Sequence, residues 1–454
     1  MVDTKKYRTG MVRCTSDHFS FFAQDYIFHF MLSNYKPFSH DNNHILESHT
    51  DGFIHGLTHD NHQIAIYAGN LKRAVLGCQT LNTDLYLVRV GNCIINPEES
   101  AITFDAIEFH GKNLARVFVP HALSFAAPAG DGQEVLTYKD DQLEYHFEAN
   151  GIQYTLAVYS TPHRMVGIKG SCLSNEDIYL RLSFSKTLTI ADLNKHYRMV
   201  CTLLSIMTFR SRVDFDSVTL LSRNERYAGA YDQEWNVYKK SLPESCKKGS
   251  HFCLTFEDLG DSVQKLLKII FSSEDRKPSY SMGFIPETDA DVLRFDGDKI
   301  KSICAGLECE IDFCDIEEAE ETAAIKALAK EVSNLVKAHR SGPTPLSAKS
   351  YEKIFSNIKH WGMALSDNVI ELYHKHRIAM DIICGQISAC VTDEDIESFV
   401  KYRNDISHGN YRITDERIIK TAYVLARLVY CCLLTRIGLK ESQIEKFCKM
   451  KIGN

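Results

Sequence analysis

The sequence predicts an α+β protein, an N-terminal antiparallel β-sandwich or jelly-roll-like domain over residues 1–250 followed by an all-α helical bundle over 251–454. Three observations carry this. The chain of 454 residues exceeds the roughly 250–300 at which a single core stops growing, so two domains are expected. From about residue 20 to 225 it consists of short runs rich in Ile, Val, Tyr, Phe and Thr separated by turn residues. Beyond about residue 255 apolar residues return every third or fourth position instead.

In the first half, Gln63 to Tyr67, Asp84 to Val90, Ala101 to Phe104 and Tyr154 to Tyr159 read as strands, with breaks such as Ala68-Gly69-Asn70 and Gly130-Asp131-Gly132 between such runs. This half is therefore expected to be all-β. In the second half, Leu259 to Phe271, Ile300 to Phe313, Glu317 to Ala338, Tyr351 to Arg377, Asp393 to Ser407 and Asp415 to Ile437 read as helices. The last carries the stripe Ile418, Ala422, Leu425, Val429 and Cys432. Thr414, Asp415 and Glu416 supply its cap and acidic first turn, and Gly438 its stop.

Hydrophobic content of 44% and charged content of 24% are ordinary globular values. No stretch offers the roughly 18–20 uninterrupted apolar residues of a membrane span, and Met1 to Lys6 lack the apolar core of a signal peptide, so a cytoplasmic protein without a membrane partner is expected. Fifteen dispersed cysteines then read as reduced thiols, and the adjacent Cys431-Cys432 as packing. A net charge of −7 argues against a protein that coats nucleic acid. Residues 401–454, however, hold eleven Lys/Arg against five Asp/Glu, a local +6 on a body of −13. That distribution suits holding one RNA segment without indiscriminate binding.

Arg403 and His408 are the candidate catalytic pair. Their spacing alone means little, because Arg13 with His18 and Arg116 with His121 share it. Context separates them: Arg116 opens a strand-like run and Arg13 lies near the chain start, whereas Arg403 lies on a helix capped by Thr392 with Asp393, Glu394 and Asp395 in its first turn. At about 100° per residue, Ile396, Phe399 and Val400 define one face, with Arg403 and Ser407 in its middle. A guanidinium there is costly unless it is paired, lines a cleft or awaits an anion. Gly409 and Asn410 are stop residues, so the chain is expected to unwind and bring the imidazole of His408 beside Arg403.

A neutral His can take the proton of a ribose 2′-hydroxyl, and an Arg can stabilise charge developing on the phosphate, without a metal or cofactor. The plainer reading of the same residues is an Arg at a helix end and a His anchoring a loop.

The run Phe399 to Gly409, with Arg403, Asn404, His408 and Gly409 in the places of an "RN…sHG" signature, resembles HEPN domains, most closely those of ApeA-type anti-phage proteins. The resemblance extends more loosely over residues 295–440, including Gly306-Leu307-Glu308, and to the β-rich half at Gly52 to Gly56 and Arg198 to Leu221. It implies an endoribonuclease in which Arg403, His408 and Asn404 form a composite site across a homodimer or higher homo-oligomer. It also implies cleavage of host RNA, with tRNA anticodon loops a favoured class, in phage defence. The N-terminal domain is then a sensor or regulator that meets a phage-derived activator. Lys401, Arg412 and Arg417 are expected to contact the RNA. The rival reading is a non-catalytic β-sandwich binding module fused to a helical dimerisation domain.

Other clusters are weaker. His40, His44, His49, His55, His59 and His62 follow no metal-ligand spacing and read as a loop and a hairpin turning at Asp60-Asn61. His374-Lys375-His376 reads as a solvated helix face. Cys304, Cys309 and Cys314, five apart, turn by about 140° per step and share no helix face. Glu308 is a carboxylate that could orient His408, with pairing inside the bundle or solvent exposure the plainer reading.

Overall fold

The computed structural model describes residues 8–14, 17–32, 45–46, 52–68, 74–75, 78–91, 102–111, 113–119, 123–126, 135–138, 142–167, 170–227, 229–240, 253–272, 282–314, 320–359, 365–409 and 415–450. The chain divides into two compact units, residues 1–247 with 253–272, and 248–252 with 273–454.

The first unit holds strands β1 (Arg8–Cys14), β2 (Asp17–Gln24), β3 (Ile27–Leu32), β4 (Ile45–Leu46), β5 (Phe53–Thr58), β6 (Gln63–Tyr67), β7 (Ala74–Val75), β8 (Cys78–Asn82), β9 (Leu85–Arg89), β10 (Thr103–His110), β11 (Leu123–Ala126), β12 (Val135–Tyr138), β13 (Gln142–Ala149), β14 (Ile152–Gly167), β15 (Gly170–Thr189), β16 (Ser217–Arg223) and β17 (Tyr231–Lys239). It also holds helices α1 (Leu114–Val117), α2 (Ile190–Thr208), α3 (Phe256–Leu259) and α4 (Ser262–Ser272). Thirteen strands form one antiparallel sheet in the order β13-β14-β15-β10-β16-β17-β9-β6-β5-β1-β2-β3-β8, beside the separate pairs β11-β12 and β4-β7.

This sheet curls at its β9-to-β3 end, which stands in place of two stacked sheets. Phe28 of β3 meets Tyr86 of β9 edge-on at 5.4 Å although five pairings separate their strands. Phe19, Phe21, Phe28, Phe30, Ile54, Ile64 and Ile66 fill the enclosed core. Arg8 lies over the Tyr238 ring at 4.7 Å, and the Tyr26 hydroxyl donates to the Lys239 carbonyl at 2.8 Å. The expected hairpin is present: β5 pairs with β6 around Asn61, whose φ of 63° is tolerated by Asn.

The other end of the sheet is covered by helices, so the all-β expectation for this half is corrected. Thr189 and Asp192 form a capping box, and Leu193, Val200, Leu203 and Leu204 of α2 are buried. Its His196 is a core residue: Nδ1 donates to the Asp192 carbonyl at 2.9 Å, Nε2 lies 3.3 Å from the Tyr154 hydroxyl, and burial lowers its pKa. The expected boundary at residue 250 also moves. Phe256 stacks on Tyr145 at 5.8 Å and Phe271 meets Tyr154 at 5.1 Å, so the segment expected to open the bundle instead covers apolar sheet surface.

The second unit comprises α5 (Gly297–Ile311), α6 (Glu320–Arg340), α7 (Ala348–Lys359), α8 (Leu365–Lys375), α9 (Arg377–Gln386), α10 (Asp393–Ser407), α11 (Glu416–Arg436) and α12 (Glu441–Lys449). Of the single helix expected over Tyr351 to Arg377, the described parts are the end of α7 and the whole of α8, and a turn at His376, the N-cap position of α9, separates α8 from α9. Helix α11 is long and apolar enough to cross a membrane, but 83% of that window is buried inside the protein. It is the central helix, against which α5, α9, α10 and α12 pack. Gly306 permits the close approach of α5, since a Cβ there would stand 3.0 Å from Val429 Cγ1. Glu310, fully buried on α5, pairs with Arg436 Nη2 of α11 at 3.1 Å. Burial outweighs that cation and pushes the Glu310 carboxyl up to about 7. The predicted class therefore stands: an antiparallel sheet followed by helices in an α+β chain.

Candidate active site at the end of helix α10

Helix α10 begins where a capping box dictates. The Thr392 hydroxyl accepts from Asp395 N at 3.3 Å, and the Asp395 carboxylate accepts from Thr392 N and Oγ1 at 2.9 and 2.8 Å. Ile396, Phe399, Val400, Tyr402 and Ile406 are buried. The buried face thus drifts toward Tyr402 and Ile406 by the last turn, leaving Arg403 half-buried at its margin and Ser407 exposed, a correction to the expected central position. The helix stays regular through Ser407 and ends at His408, whose N–H donates to the Asn404 and Asp405 carbonyls at 3.1 and 3.2 Å. Gly409 then takes φ 81°, a left-handed stop.

Arg403 meets a partner from another helix. Its Nη2 lies 2.9 Å from Glu308 Oε1 on α5, and its Nη1 donates to Asn404 Oδ1 at 3.1 Å. Its Nε is buried and has no hydrogen-bond partner among the described residues. Glu308 therefore holds Arg403, the pairing inside the bundle that was the plainer reading of this carboxylate, and does not orient His408. Cys304, one turn earlier on α5, is buried, and desolvation pushes its thiol up to about 12, outweighing the nearby Arg403. The His408 side chain is exposed and makes no hydrogen bond or ion pair among the described residues, so no hydrogen bond joins it to Arg403 within one chain.

The expected RNA contacts fare differently. Lys401 is exposed on α10. Arg417 is paired with the buried Asp395, tying α11 to the start of α10. Arg412 lies outside the described residues. What the sequence left open for Glu308 was its partner, Arg403, and its position two residues after the close-packing Gly306 was the available signal.

The remaining clusters have structural partners. His59 Nδ1 meets Thr9 Oγ1 at 2.6 Å, and His62 Nδ1 lies 2.9 Å from the Gly91 carbonyl. His40, His44 and His49 lie outside the described residues. Among the described residues no group of three or more His, Cys, Asp or Glu is placed to hold a metal. His374 pairs with Asp393 at 3.0 Å, but His376 is buried rather than solvated, and desolvation pushes its imidazole down to about 4. Cys431 and Cys432 are buried free thiols, and Cys304, Cys309 and Cys314 are thiols outside any disulfide as well.

Compared with known proteins, the chain matches the family model described as ApeA N-terminal domain 1 over residues 24–268. No curated protein and no solved structure matches it.

Proposed function

The chain belongs to the ApeA N-terminal domain 1 family, which ties it to anti-phage defence, and from that premise we propose that its helical unit is an endoribonuclease acting on host RNA. The observation that supports this most is the half-buried Arg403, fixed by Glu308 and Asn404 beside the α10 end where an exposed His408 stands.

In this reading Arg403 binds the scissile phosphate and stabilises the charge that gathers on it. Glu308 holds the guanidinium edge so that its remaining donors face the phosphate, and Asn404 steadies the same group. His408 takes the 2′-hydroxyl proton as the 2′-oxygen attacks phosphorus, or returns a proton to the leaving 5′-oxygen. The products are a 2′,3′-cyclic phosphate and a 5′-hydroxyl end. Because Arg403 is engaged by Glu308 and not by His408 within one chain, the complete site draws His408 from a second copy, making a homodimer the working unit. Transfer RNA is the proposed target class, and the sheet unit is the proposed receiver of a phage-derived activator.

The Glu308–Arg403 pair also favours a second reading, in which the guanidinium is neutralised for good and the helical unit only assembles the protein. Incubating the purified protein with total tRNA and sequencing new ends separates the two. Fragments ending in cyclic phosphate that vanish with His408→Ala support the nuclease. Intact RNA over a range of enzyme concentrations, with and without phage lysate, overturns it.

A further inference from the structure

The sheet unit carries an array of planar side chains that the reading above does not use. On β10, β14 and β15 the residues alternating with the buried Ile107, Phe109, Leu156, Val158, Leu180 and Leu182 point to the opposite face. Strand register sets Tyr159 opposite Tyr179, Tyr179 opposite His110, and Arg181 opposite Glu108. In space the rings continue one another. His110 stacks on Tyr179 at 4.9 Å and Tyr179 on Tyr159 at 5.6 Å. The Arg181 guanidinium follows, 5.2 Å from the Tyr159 ring and 4.9 Å from that of Tyr231 on β17.

The charges in this array are paired in an uneven way. Glu108 faces Arg181 across the strands, yet its carboxylate accepts from the Tyr159 hydroxyl. Asp177 lies 3.4 Å from His110 Nε2. Both carboxylates are thus engaged elsewhere. Arg181 makes no hydrogen bond or ion pair among the described residues, and its Nε is buried without a partner. Its flat cation rests on tyrosine rings, which leaves the N–H edge as the reactive side of the group. Such an edge matches two oxygens of one oxyanion.

We propose that Arg181 anchors a phosphate-binding site on this sheet face, taking the phosphate of a small ligand edge-on through two N–H groups. Glu108, directly opposite Arg181, lies well inside a Debye length of about 8–10 Å, and with Asp177 further along β15 it disfavours an extended polyanion, so the ligand is a phosphomonoester and not a nucleic-acid strand. The ring stack adds a surface for an aromatic base, which makes a nucleoside monophosphate a better fit than phosphate alone. The site is independent of Arg403 and His408, and its failure leaves the nuclease reading untouched.

Titration calorimetry of the full chain with inorganic phosphate, adenosine monophosphate and single-stranded DNA tests this. Saturable binding of phosphate is expected, tighter for adenosine monophosphate, with Arg181→Ala and Arg181→Lys each weakening it about tenfold or more, because an ammonium cannot form the fork. Glu108→Gln keeps an acceptor for Tyr159 and removes a repelling charge, so it is expected to tighten binding severalfold in protein with an unchanged melting temperature. The proposal is overturned by absence of saturable binding of either small ligand, by wild-type affinity in Arg181→Lys, by unchanged affinity in Glu108→Gln, or by DNA binding more tightly than the monophosphate.

Discussion

Replacing Glu310 by glutamine is expected to turn a nearly pH-independent stability of the helical unit into one that climbs with pH. Burial holds the Glu310 carboxyl at about 7 against an ordinary 4.5. The unfolded chain therefore releases this proton first, and the stability present below pH 4.5 is lost as pH rises toward 7. His376 has the opposite sign. Its folded value of about 4 against an ordinary 6.5 means the unfolded chain gains the proton first, so stability is lost as pH falls from 6.5 to 4. At about 1.4 kcal/mol per unit, each contributes about 3 kcal/mol between pH 4.5 and 6.5, and the two slopes cancel.

Glu310→Gln lowers stability overall by removing the partner of Arg436, but the quantity to read is the change with pH. Urea unfolding of the variant is expected to strengthen by about 3 kcal/mol from pH 4.5 to 6.5. With a slope of about 2 kcal/mol/M, the midpoint moves up by about 1.4 M. His376→Gln is expected to show the mirror image, weakening over the same interval. If the stability of Glu310→Gln does not climb over this interval relative to the parent protein, the buried-carboxyl argument is wrong.

Four further expectations rest on the packing and pairing of the helical unit. Gly306→Ala presses a methyl against Val429 and is expected to cost about 1–3 kcal/mol in denaturation experiments, while an unchanged midpoint shows that α5 can shift freely. Arg417→Ala strips the ion partner from the buried Asp395, which keeps its Thr392 hydrogen bonds; a loss of about 1–3 kcal/mol is expected, read by thermal melting. For the proposed nuclease, Arg403→Ala and His408→Ala are each expected to lower cleavage of tRNA by about 10²-fold or more. Glu308→Gln, removing a partly exposed ion pair, is expected to cost under about 1 kcal/mol of stability yet reduce kcat more than it raises KM. Full activity in that variant would remove Glu308 from the site.

Helix α10 was legible to the residue because its limits are local: the Thr392 box at one end and Gly409 at the other. The β5-β6 hairpin was legible for the same reason, since Asp60-Asn61 declares the turn. Helix α2 was not, because Ile, Val, Leu and Tyr serve strand and helix alike and its flanks are strands; only the Thr189-Asp192 box marks it. The domain boundary failed because α4 is amphipathic in sequence whichever surface it covers, and Phe147 and Tyr154 of the sheet decide. Arg403 was legible as an unusual cation on an apolar helix. Its pairing with Glu308 was not, because it depends on how α5 packs against α10, a tertiary distance that no local pattern encodes.

Strand β13 ends the thirteen-stranded sheet, and its composition bears on how the protein behaves when crowded. Gln142, Glu144, His146 and Glu148 are exposed along it, alternating with the buried Tyr145, Phe147 and Ala149. If a second molecule laid its own β13 antiparallel on this one about His146, Glu144 of each would stand opposite Glu148 of the other. Like charges directly opposed across a ladder destabilise it, so the edge resists its own replication. The strand that terminates the fold also discourages the template-driven stacking by which open sheets aggregate.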